Sequence, residues 1–155
     1  VGVIGAISMA ALVHDIGKIS VPSEVLSRPG RLSPVEMNMV KGHVESGYEI
    51  LSKIEFDQPI ARIVREHHER LDGSGYPKGL KGDEITLEAR VIAVADVVEA
   101  IASHRPYRPA LGLTRAKAVL TADRGTAYDA DVVDAFLRVA EKQPALFDPN
   151  GQTQT

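Results

Sequence analysis

His14-Asp15-Ile16-Gly17-Lys18 follows the nearly uncharged run that opens the chain, and its reading decides the fold. Val3–Val13 reads as a buried core helix, because the run is apolar, lacks the basic start of a signal peptide and is too short to span a membrane. Its last turn would deliver His14 and Asp15 to the interior, and Gly17 would end it. An imidazole and a carboxylate side by side can serve one divalent metal, and the second carboxylate oxygen can bridge to another. Lys18 sets a compact cation close behind, suited to a phosphate oxygen. His-Asp pairs are common as surface or capping residues, so the weight lies in the company. His43, His67-His68 and Asp96 all fall in helical contexts, and the Gly-rich run from Leu71 to Asp83 follows the double histidine. Together they read as a metal-dependent phosphodiesterase site.

Working outward, residues 19–31 form a turn-rich connection marked by Pro22, Pro29 and Gly30. Ser33-Pro34-Val35-Glu36 is a capping box with proline at the first helical position, and predicts one helix over residues 34–52. Val40, Val44, Tyr48 and Leu51 form its apolar stripe, with His43 beside it. A further helix is expected over residues 59–69, ending in Glu66-His67-His68-Glu69. Neighbouring helical positions point about 100° apart, so the two histidines can serve two metals, or one metal and a supporting role. The glycines of Asp72-Gly73-Ser74-Gly75-Tyr76-Pro77 and the residues through Gly82 permit left-handed turns and close backbone approach to a ligand. Thr86 caps a helix expected over residues 87–103, apolar on most sides and therefore central. Asp96 stands in its middle, where a carboxylate is costly unless paired or metal-bound. Arg105-Pro106-Tyr107-Arg108-Pro109 breaks that helix in a stiff loop, and His104 needs no role beyond capping its end. Helices over 114–122 and 129–141 follow, and 143–155 reads as a loose polar tail. With no strand alternation and no internal repeat, the fold class is all-α.

The 155 residues suit one domain with a real core. No cysteine is present, which excludes disulfides and zinc-thiolate sites and leaves His, Asp and Glu to hold any metal. That composition fits the cytoplasm. A net charge of −3 without a long basic block argues against general nucleic-acid binding.

HDIGK at 14–18, His43, HHERLDGSGYPKGLKGDEI at 67–85, ADVVEA at 95–100 and RPYRP at 105–109 closely resemble the HD-GYP family of metal-dependent phosphohydrolases. The resemblance runs from about Ala10 to Leu137. It implies an HD-type helical bundle over residues 1–142 that hydrolyses cyclic di-GMP to pGpG and GMP. By resemblance, His14, Asp15, His43, His67, His68 and Asp96 match metal-ligand positions, with Asp15 bridging two divalent ions, preferentially Fe or Mn. Lys18 matches the lysine near the scissile phosphate, and Tyr76, Arg105 and Arg108 match contacts to the dinucleotide. The family further implies an N-terminal receiver or sensor domain; a homodimer is one oligomeric state left open, and no membrane contact by this chain is expected. Family members usually carry a further histidine on an upstream helix. None precedes His14 here, so the domain is expected to lack its first helix and a trinuclear site is not expected. That departure supports an alternative, a catalytically inactive module that binds cyclic di-GMP or a partner protein. A phosphohydrolase acting on another nucleotide is a third reading, against which the Gly-Tyr-Pro loop speaks.

Overall fold

The computed structural model describes residues 2–102 and 112–147. The chain divides into two compact units, Val1–Ile92 and Ala93–Thr155. The first holds α1 (Val3–Val13), a 3-10 turn (Ile16–Ser20), α2 (Ser23–Leu26), α3 (Pro34–Lys41), α4 (His43–Leu51), α5 (Ile60–Glu66) and a 3-10 turn (Gly82–Glu84). α6 (Leu87–Ala102) begins in the first unit and continues in the second, which also holds α7 (Gly112–Ala122), α8 (Ala130–Lys142) and a last 3-10 turn (Pro144–Phe147). Among the described residues there is no strand, only isolated bridges at Asp72 with Lys81 and Arg124 with Tyr128. The all-α expectation holds.

The core of the first unit gathers Ala6, Ala10, Leu51, Ile60, Ile63, Val64, Ile85, Ala89 and Ile92. Each fully buried Leu, Ile or Val contributes about 1.5–3 kcal/mol by leaving water. α1 packs on α5 with Ala6 and Ala10 buried one turn apart, and such small side chains let two helix backbones approach closely. Only one face of α1 is used, because Ile4 and Leu12 are about four-fifths exposed. The expectation of a buried helix is therefore corrected to a one-sided one. Val3–Ser20 is long and apolar enough to cross a membrane by length and composition. The same stretch carries three groups of the polar cluster described below.

The capping box forms as read. Ser33 Oγ accepts from the Glu36 N–H, and Glu36 accepts from the Ser33 N–H. The single helix expected over 34–52 is instead two, parted at Gly42. Glycine is the weakest ordinary helix former, by about 1 kcal/mol against alanine. Here the Val40 carbonyl accepts a hydrogen bond from the His43 ring. The stripe survives the break, with Val44 and Leu51 buried. α5 likewise ends at Glu66, so His67 and His68 sit in a turn rather than a helix.

In the second unit Val94, Val98, Ala116, Leu120, Tyr128, Val133, Phe136 and Ala140 form a separate core. Asp129 caps α8 by accepting from the Asp131 and Val132 N–H groups, as expected of an aspartate at that position.

Candidate metal centre

Gly17 explains why the His-Asp turn lies where it does. A Cβ built there would stand 1.7 Å from the His43 carbonyl oxygen and 2.6 Å from the Gly47 nitrogen. Only a residue without a side chain lets the turn rest on the α4 backbone. Asp15 is thereby brought to His43, with Oδ1 3.6 Å from His43 Nε2, while its Oδ2 lies 3.4 Å from His14 Nε2. One carboxylate thus faces two histidines, one oxygen to each. Lys18 Nζ donates to Asp15 Oδ2 at 2.8 Å.

Three histidines are held by one device. His14 Nδ1 lies 2.6 Å from the Ala11 carbonyl oxygen, His43 Nδ1 2.6 Å from that of Val40, and His67 Nδ1 2.5 Å from that of Val64. A carbonyl oxygen carries no proton, so in each pair the ring nitrogen donates. That fixes the Nδ1–H tautomer and leaves Nε2 with a lone pair, the state in which a neutral imidazole ligates metal. The Nε2 atoms of His43 and His67 are buried.

The rings converge. His14 lies 5.2 Å from His67, His43 is 5.7 Å from His67 and 5.2 Å from His68, and His67 is 4.1 Å from His68, centroid to centroid. Two sets of donor atoms each fall within 4.8 Å of one another: His43, His67 and His68, and His14, Asp15 and His67. His67 belongs to both. A set of imidazole nitrogens and a carboxylate without thiolate fits a borderline divalent ion, so the donor chemistry fits the metal that an HD-type domain implies.

The Gly-Tyr-Pro loop closes over this cluster. Gly73, Gly79 and Gly82 take positive φ (+82°, +66° and +50°), as the sequence leads one to expect. Asp72 accepts from the Ser74 N–H and Oγ–H, which holds its carboxyl below the usual aspartate range. The Tyr76 ring stacks on His68 at 4.9 Å and 17°, and Lys41 Nζ lies 5.1 Å from its centroid.

Of the residues singled out in the sequence, His14, Asp15, Lys18, His43, His67, His68 and Tyr76 are brought together. Asp96 is half-buried in α6 within the second unit. Arg105 and Arg108 lie outside the described residues. Two groups escaped the sequence reading, the buried carboxylates Glu66 and Glu69. Glu66 accepts from Arg62 Nε and the Thr86 N–H, both at 2.8 Å, and Glu69 from the Lys78 and Leu80 N–H groups. The only sequence trace was their placement on either side of the double histidine, which looks the same for a solvated helix end. With Tyr48, Arg62, Arg65 and Lys78 they line a cavity of about 280 Å³.

The model of the HD domain family matches residues 5–132. The cyclic di-GMP phosphodiesterase response regulator RpfG of Xanthomonas campestris is 52% identical over 134 residues, 85% of this chain and 35% of the relative. A cyclic di-GMP phosphodiesterase of Thermotoga maritima is 42% identical over 88% of this chain and 38% of its own length. A 3'3'-cGAMP-specific phosphodiesterase of Vibrio cholerae is 39% identical over 87% of this chain and 29% of its own. The chain thus spans about a third of the length of these curated relatives. Among solved structures, Bd1817, a HDG"Y"P protein of Bdellovibrio bacteriovorus, superposes with a TM-score of 0.70 at 21% identity, covering 88% of this chain and 43% of that one, which speaks to the fold. The chain belongs to the HD domain family and, with its Gly-Tyr-Pro loop folded against the double histidine, to the HD-GYP branch.

Proposed function

We propose that this chain is the hydrolytic domain of a metal-dependent phosphodiesterase that opens cyclic di-GMP to pGpG and carries it on to GMP. The observation that carries the reading is the convergence of four imidazoles on the Asp15 carboxylate, whose two oxygens face His14 and His43. Relatives named as cyclic dinucleotide phosphodiesterases over most of this chain support it. His14, Asp15, His43, His67 and His68 would hold two divalent ions, Fe or Mn. Such ions neutralise charge on a phosphodiester and lower the pKa of water toward neutrality.

The chain's own residues do the rest. Asp15 turns one oxygen toward His14 and the other toward His43, the disposition a bridging carboxylate needs. Lys18, paired with Asp15, offers an ammonium to a phosphate oxygen as charge develops in the transition state. Tyr76 would reach the dinucleotide from the loop that rests on His68. The parent protein would be cytoplasmic and would carry a receiver or sensor domain ahead of residues 1–142, as the response-regulator name of one relative suggests. The 143–155 segment is read as a tail.

Asp15→Ala, loaded anaerobically with Fe(II) or Mn(II) beside the wild type, tests the proposal. The wild type should release pGpG and GMP, and the variant should release neither while keeping its helical circular dichroism. Near-normal turnover by the variant would refute the bridging role. Tight cyclic di-GMP binding by the metal-loaded wild type without product would favour a binding module. Since some relatives are named for 3'3'-cGAMP, that dinucleotide belongs in the same assay as a competing substrate.

A further inference from the structure

Glu69 is 3% exposed. A buried carboxylate is costly unless its oxygens are hydrogen-bonded, and both are: Oε1 accepts the Lys78 N–H at 2.7 Å and Oε2 the Leu80 N–H at 3.0 Å. These donors lie one and three residues past Pro77, so the carboxylate closes the chain into a ring from residue 69 around the loop to 80. Inside that ring Gly75 is pressed against residues 68–70. A Cβ there would lie 2.4 Å from the His68 carbonyl oxygen and 2.5 Å from the Arg70 nitrogen. The next residue, Tyr76, donates its N–H to the His68 carbonyl at 3.3 Å and lays its ring on the His68 imidazole. His14, His43 and His67 are each held at Nδ1 by a main-chain carbonyl. The His68 ring stacks on the face of Tyr76.

From this geometry we infer that Glu69 is a positioning residue. By anchoring the loop that carries Tyr76 it fixes the His68 imidazole, and so sets the metal affinity of the His43–His67–His68 position without acting on the position held by His14 and Asp15. The inference rests on the metal reading proposed above. Partners that orient a ligand in this way typically cost 10–100-fold in metal affinity when lost. Glu69→Gln is the direct probe. Its amide oxygen can accept one of the two N–H groups, but its NH₂ then meets the other donor to donor.

The test compares the full chain and its variants, metal-free and during Mn(II) titration. In the metal-free wild type the His68 ring protons should show the upfield NMR shift of a stacked aromatic. Glu69→Gln should lose that shift, and the Lys78 or Leu80 amide should exchange at least about ten-fold faster, as expected for loss of a charge-assisted hydrogen bond. One Mn(II) position should weaken by about 10–100-fold while the other stays within about two-fold. Tyr76→Ala, which leaves the carboxylate intact, should reproduce the selective loss. In a His68→Ala background, Glu69→Gln should add less than about two-fold, because the positioned ring is gone.

Equal weakening of both positions, or an undiminished effect in the His68→Ala background, would make Glu69 a general fold element and overturn the inference. An unchanged His68 ring shift in Glu69→Gln would overturn the positioning itself. A wild type that shows the shift but takes up no metal would instead overturn the metal reading beneath it.

Discussion

Two glycines meet at the contact between the His-Asp turn and α4, and they should respond oppositely to alanine. At Gly17 the new Cβ would lie 1.7 Å from the His43 carbonyl oxygen and 2.6 Å from the Gly47 nitrogen, so both obstacles are backbone. A flexible side chain could swing away, but a helical carbonyl cannot, and the turn must back off α4 by more than about 1 Å. Overpacking costs about 1–3 kcal/mol where side chains can give. Backbone against backbone places Gly17→Ala at the upper end, about 3 kcal/mol. At about 2–4 °C per kcal/mol for a chain near this size, the melting temperature should fall by about 6–12 °C. Asp15 would recede from His43 by a similar distance, and metal affinity should fall by at least the roughly 10-fold expected of a disturbed ligand. At Gly47, by contrast, the nearest atoms to a new Cβ are Gly17 N and Val64 Cγ1 at 3.5 Å and Ile16 Cγ2 at 3.6 Å, which is ordinary contact. Gly47→Ala sits within α4 and should gain up to about 1 kcal/mol from helix propensity and a stiffer unfolded chain. Thermal melts and Mn(II) titrations of the two variants provide the assay. A Gly17→Ala protein melting within about 2 °C of the wild type with unchanged metal affinity would refute the close-approach reasoning.

His67 has one nitrogen to offer, since its Nδ1 is engaged by the Val64 carbonyl, and His68 falls in one donor set only. His67→Ala and His68→Ala should therefore each leave one metal position near wild type in a metal titration, whereas Asp15→Ala should weaken both. The Arg124 guanidinium, hydrogen-bonded to Asp134 at 2.7 and 2.6 Å, holds that carboxyl below the usual aspartate range. A depressed folded value means that its contribution is complete above the unfolded value near 4 and is lost as pH falls through the lower folded value. Asp134→Asn should therefore flatten the stability profile only in that acid window, and pH-dependent thermal melts will show it. At neutral pH the effect should be small, because the pair is exposed.

The periodic parts of the fold were legible. The Ser33 capping box and the apolar stripe through Val44 and Leu51 rest on local rules that a sequence displays directly. What misled was the assumption that an apolar run continues as helix. Residues 34–52 keep their period across Gly42, so nothing in the pattern marks the break. α5 stops at Glu66 although Glu, His and Arg are all tolerable helix residues. The site was half legible for the same reason. Histidines and aspartates announce themselves by type, but Glu66 and Glu69 resemble solvated surface acids until their backbone donors, 9 to 20 residues downstream, are seen to arrive. The role of Gly17 was invisible in another way. It was read as a helix terminator, whereas its missing side chain matters for contact with a helix 26 residues away.

The helix breaks and the histidines are one phenomenon. His14 caps the C-terminus of α1, His67 caps that of α5, and His43 follows the end of α3 after a single glycine. Each ring donates Nδ1–H to the carbonyl three residues back, one of those left without an intrahelical partner in a last turn. The end of a helix thus does two jobs. It supplies the acceptor that fixes the tautomer, and it brings the negative end of a helix dipole toward the place where a cation would sit. A continuous helix over 34–52 would engage the Val40 carbonyl with the N–H of Val44 and leave the His43 ring without its anchor. The break at Gly42 therefore sacrifices helical regularity to orient a ligand. The test is Gly42→Ala, whose Cβ would meet nothing closer than the Met39 carbonyl oxygen at 3.2 Å. By propensity alone the variant should be more helical and up to about 1 kcal/mol more stable. If the break serves the site, that gain should come with weaker metal binding at the position that uses His43. A variant more stable and equally tight for metal would show the break to be incidental.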